Sequence, residues 1–95
     1  MQKLVDNRYK IRDQVDYAIG QLAKLTTDNT ARITIYDNST VEVSMYVGTY
    51  AEARMMLAAL NIPEPENTYD QARARYILQW TDCWSIHWRI DVPCT

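Results

Sequence analysis

Phenylalanine is absent from this 95-residue chain, histidine occurs once, glycine twice and proline three times. So few glycines and prolines exclude collagen-like and low-complexity architectures. A hydrophobic fraction of 47% against 23% charged residues excludes intrinsic disorder. No apolar run approaches the roughly 18 residues needed to span a bilayer. Residues Met1 to Asp6 contain no apolar stretch of the signal-peptide kind, so no secretory leader is expected. Gly20 and Gly48 are isolated, which leaves no glycine-rich phosphate loop. Cys83, Cys94 and His87 cannot complete a four-ligand zinc site without carboxylates, and no C-x-x-C spacing occurs. Neither metal nor cofactor is therefore expected, and two thiols without a partner fit a reducing, cytoplasmic setting. The net charge of −2 argues against a dedicated nucleic-acid binder and is too small for a charge-based DNA mimic.

What is present is unusual in one respect. With seven Tyr, three Trp and no Phe, every large aromatic side chain carries a polar handle, and seven of the ten basic residues are Arg. Tyr, Trp and Arg are the residues enriched at interface hot spots. They also suit a small core whose polar tips reach water. The length allows a single domain over residues 1–95. Area scaling gives roughly 5,700 Å² folded against roughly 16,000 Å² extended, enough burial for one core without staples.

Periodicity predicts the elements. Ile11, Val15, Ala18, Leu22 and Leu25 recur at helical spacing, so residues 3–25 read as one amphipathic helix. After a polar connector over 26–30, Ile33 and Ile35 alternate with polar neighbours, and Val41, Val43, Met45 and Val47 do the same beyond the Asp37–Ser39 turn. Two such runs around turn residues predict a β-hairpin. Thr49 with Glu52 forms a capping-box signature ahead of a helix over 50–60, stopped by Asn61 and Pro63. The proline-bearing stretch 62–67 is expected to be extended. Residues 69–79 fit two periods. Thr68 with Gln71 repeats the capping signature and favours helix, while Ala74, Tyr76, Leu78 and Trp80 also alternate as a strand does. Trp84, Ile86, Trp88, Ile90 and Val92 alternate through to Pro93 and predict a last strand whose two tryptophans, Trp84 and Trp88, are core residues. The fold expected is α+β, two layers, with helices on one face of a small antiparallel sheet, in the order α-β-β-α-α-β or α-β-β-α-β-β.

Catalytic chemistry finds little support. Cys83 and His87 would be adjacent on a helix but about 13 Å apart on a strand, too far for a nucleophile–base pair. No carboxylate pair stands apart from the ordinary surface acids, so the chain is not expected to be an enzyme. The polar side of the sheet is a better candidate. The hairpin phase puts Tyr36 and Tyr46 away from Ile35 and Met45, and the last strand adds Arg89 and His87 on the same side as Arg32. These five residues are the predicted partner-binding set, if the last strand pairs with the hairpin. Two alternatives are a homodimer paired through helix 3–25, and an RNA-binding patch of Arg73, Arg75 and Arg89 with Tyr76 and Trp80.

In overall plan the chain resembles small inhibitor proteins of bacteriophages and mobile elements, anti-CRISPR proteins among them. The likeness rests on size, on the αββα order, on the strand Val41–Val47 feeding the helix capped at Thr49 and Glu52, and on the aromatic strand Trp84–Val92. The resemblance implies stoichiometric binding to a bacterial defence or host enzyme in the host cytoplasm, and carries over no functional residue.

Overall fold

The computed structural model describes residues 10–25, 30–63 and 65–94. In chain order these form α1 (Ile11–Leu22), β1 (Thr30–Ile35), β2 (Val41–Tyr46), α2 (Tyr50–Leu60), β3 (Glu66–Asp70), β4 (Arg75–Thr81) and β5 (His87–Pro93). The fold is α+β, a five-stranded sheet in the order β1-β2-β5-β4-β3 with two helices on one side.

The alternation of β2 and β5 explains the two layers. Val41, Val43, Met45, Val47, Ile86, Trp88, Ile90 and Val92 are all buried, and Ala18 of α1 with Ala53 and Met56 of α2 pack into the same cluster. The α1 stripe predicted from spacing is used here: Ile11, Leu22 and Leu25 lie against this core. Among the described residues the helix runs from Ile11 to Leu22, shorter than the expected 3–25, and Ala23 caps it. Residues 3–9 of the expected helix lie outside the described residues.

The β1–β2 hairpin forms as predicted, with Ile33 opposite Val43, although β1 already begins at Thr30. Ile35 lies on the core-facing side yet is 51% exposed, at the end of an edge strand. The capping box at α2 is also present: Thr49 Oγ1 accepts from the Glu52 N–H at 3.1 Å while Glu52 Oε1 accepts from the Thr49 N–H at 3.0 Å. At the other end Asn61 takes the left-handed conformation that asparagine tolerates better than most residues, and the Ile62 N–H returns to the Leu57 carbonyl.

Three expectations are corrected. Residues 69–79 are not helical: they contribute to a second hairpin, β3–β4, in which Tyr69 pairs with Tyr76 and Asp70 with Arg75. Ala74, at φ 52°, turns the chain, and the Asp70 carboxylate accepts the Arg73 N–H inside the turn. The local capping signature loses because β5 needs a second neighbour, and Leu78 and Trp80 pack opposite Ile90 and Trp88. The last strand starts at His87, and not at Trp84. Asp82 ties residues 82–86 into a tight turn by accepting the N–H groups of Trp84 and Ile86 at 2.8 and 3.0 Å. Trp84 is consequently half-buried against Tyr17 (ring centroids 5.1 Å, stacked), whereas Trp88 is fully in the core and stacks on Trp80. Finally, the sheet is mixed: β5 pairs antiparallel with β4 but parallel with β2. The segment between β2 and β5 makes its own helix and hairpin before the chain returns alongside β2. Cys83 and Cys94, both exposed and unbridged, fall beyond opposite ends of β5.

Candidate functional site

With both helices on one side, the opposite side of the sheet has no covering element among the described residues. Its composition follows from register. Thr30, Tyr46, Asp91, Ile77 and Thr68 form one row across all five strands. Arg32, Ser44, Arg89, Gln79 and Glu66 form the next, and Thr34, Glu42, His87 and Thr81 a third. The pairing of β5 with β2 thus brings Arg32, Tyr46, Arg89 and His87 onto adjoining rows, as the hairpin phase required. Tyr36 follows β1 and joins the same patch through its phenol, which donates a short hydrogen bond to Glu42 Oε1. Tyr36 and Tyr46 are 48% and 39% exposed, Arg32 is exposed, and Arg89 and His87 are half-buried.

The electrostatics of the patch are uneven. Asp91, on the polar side of the β5 alternation, is only 3% exposed. Arg75 Nε lies 2.5 Å from its Oδ1, off the N–H axis, so this is an ion pair without hydrogen-bond geometry. Arg89 approaches the other oxygen at 3.4 Å. Two guanidinium groups therefore flank one buried carboxylate, and with Arg32, Glu42 and Glu66 on the same side the face is of mixed charge. The Tyr36 phenol is raised above its ordinary value of 10, first by the hydrogen bond to Glu42 and then by that carboxylate's charge, with nearby Arg89 pulling the other way. The burial of Asp91 and its pairing with Arg75 are what sequence reasoning missed. Reading 75–81 as a strand would have placed Arg75, Ile77 and Gln79 on this face, but burial of Asp91 has no signature in alternation.

The arginine–aromatic patch does not assemble. Arg75 and Arg89 lie on the uncovered face, whereas Tyr76 and Trp80 lie on the helix side, and Arg73 sits in the β3–β4 turn paired with Asp70 at 3.8 Å. On the helix side, α2 and the β3–β4 hairpin enclose an open groove of about 380 Å³ lined in part by Tyr50, Arg54, Leu57 and Asn67. The Asn67 amide donates to the Tyr50 hydroxyl at 3.2 Å, and Tyr76 lies against both Tyr50 and Tyr69. Among the described residues no three of His, Cys, Asp and Glu gather as metal ligands, and no helix is long and apolar enough to cross a membrane. No protein-family model, curated protein or solved structure matches this chain.

Proposed function

We propose that this protein acts by stoichiometric binding to a protein partner through the uncovered sheet face, with Tyr36, Tyr46, Arg32, Arg89 and His87 in the contact. The observation that carries this reading is the arrangement of exposed Tyr36, Tyr46 and Arg32 with half-buried Arg89 on neighbouring strands of a helix-backed sheet. Their exposure is not needed for packing, because the core is complete on the other side. Interface energy concentrates in such aromatic and Arg side chains. The flatness of the face suits recognition better than catalysis, and the protein is read as a binding protein and not as an enzyme. The partner class is the one implied by the resemblance to phage inhibitors: a bacterial defence or host enzyme, met in a reducing cytoplasm. Pairing through α1 is less favoured because Ile11, Ala18 and Leu22 are spent on the protein's own core.

The test compares wild type with the Tyr36→Ala/Tyr46→Ala/Arg89→Ala variant. Proteins captured from bacterial lysate are identified by mass spectrometry, and the captured partner is then titrated calorimetrically. The triple variant keeps its melting temperature within a few degrees and binds at least about tenfold more weakly. Undiminished binding by the folded variant refutes the reading.

A further inference from the structure

The hydrogen-bonding state of the uncovered face points to the chemistry of its partner, an inference that rests on the function proposed above. Both acids on its central strands are already engaged: Glu42 accepts the Tyr36 phenol, and Asp91 is buried between Arg75 and Arg89. The donors are not. Among the described residues the Arg32 guanidinium and the hydroxyls of Ser44 and Tyr46 have no hydrogen-bond or ion-pair partner, and Arg89 makes only one long contact.

Register adds geometry to these available donors. Arg32, Ser44 and Arg89 occupy one row on three neighbouring strands. The two arginines are thus separated by two strand spacings, roughly 10 Å between Cα atoms, with a small hydroxyl side chain between them. Two long cationic side chains flanking a serine in one row can close on an anion seated between them, a slot with donors from three neighbouring strands. We propose that this Arg32–Ser44–Arg89 slot binds a carboxylate side chain presented by an acidic segment of the protein partner. Guanidinium groups hold carboxylates through paired N–H donors, and Ser44 supplies a third donor.

The same surface disfavours a nucleic acid. A polyanion needs a basic stripe, but Glu66 ends this row and Glu42 stands in the next, so the positive field is confined to one slot.

The experiment titrates the isotopically labelled protein, followed by NMR, with an acetylated and amidated tetraglutamate peptide. A single-stranded RNA oligonucleotide at the same ionic strength is the comparison. Saturable shifts at Arg32, Ser44 and Arg89 are expected, with binding about tenfold weaker in Arg32→Gln and unchanged in Arg54→Gln, which lies on the helix side. Absence of saturable shifts at the slot, or tighter binding of the RNA, overturns the inference. The captured partner separates its failure from failure of the interface itself. If Tyr36→Ala and Tyr46→Ala release the partner while Arg32→Gln and Ser44→Ala bind as wild type, the slot reads no carboxylate and the face remains the interface. If none of the four variants weakens binding, both readings fall.

Discussion

The indole N–H of Trp88 donates to Asp82 Oδ2 at 2.7 Å, and the other oxygen of the same carboxylate holds the turn that precedes β5. One acidic side chain thereby couples the largest core residue to the chain reversal that positions its strand. The orientation is enforced from both ends, since the Trp88 ring also stacks on Trp80 at 5.9 Å with an interplanar angle of 2°.

Removing that carboxylate exposes the coupling. Asp82→Ala loses three acceptor contacts and leaves a buried indole donor unpaired, which costs about 3 kcal/mol. Asp82→Asn retains one oxygen but sets its amide against the indole N–H or the turn amides, and falls between Ala and wild type. Urea denaturation of the three proteins checks the order. Equal stability of Ala and wild type would show that the turn holds without its acid.

The two tryptophans of the C-terminal region separate energetically. Trp88→Ala empties a fully packed site and costs about 3–5 kcal/mol. Trp84→Ala removes only a half-buried ring stacked on Tyr17 and costs clearly less. Variants keeping one Trp at a time give blue-shifted emission for Trp88 and a more water-like maximum for Trp84. The reverse order of maxima contradicts the placement of β5.

Tyr36 titrates above the ordinary phenol value because its proton bridges to Glu42. The folded-state value is raised relative to the unfolded chain. The associated stability is therefore present below the ordinary phenol range and lost as pH rises through the raised value. Ultraviolet difference titration of wild type against Tyr36→Phe isolates this phenol. Glu42→Gln brings it back toward 10, and an unshifted titration in that variant would place the cause elsewhere.

Both cysteines are expected to be dispensable for folding, since serine can keep the hydrogen bond that links the Cys94 and Tyr76 side chains. Replacing exposed Cys83 and Cys94 by Ser changes stability by no more than about 0.5 kcal/mol. Intact mass and thiol titration should count two reduced thiols in the purified protein. A mass two hydrogens lighter, or a large loss of stability in the double variant, refutes this.

Local signals were the legible part of the sequence. The β1–β2 hairpin and the cap at Thr49 and Glu52 depend on residues close in the chain, and both appear where spacing put them. The misreading of 69–79 has the opposite origin. Thr68 and Gln71 form a valid local start signal, but pairing with β5 outweighs it, and that contact lies outside any short window. Alternation also assigned Tyr46, Arg89 and His87 to one face without revealing that β2 and β5 run parallel, because a period of two carries no strand direction. The burial of Asp91 escaped for a related reason: whether two arginines close over a carboxylate depends on which strand lies next to β5.

The position of β5 has a consequence for how the molecule is assembled. The two hairpins close over short stretches of chain and are the local units of the sheet, but no strand of one pairs with a strand of the other. Only β5 joins them, and it is the last of the described strands to be synthesised. Its register with β2 sets Glu42 against His87, a loop closure of 45 residues (87 minus 42) whose entropic cost falls due before the core gains anything. The expected order of assembly is therefore the two hairpins first and the whole sheet last, when Trp88 enters between them.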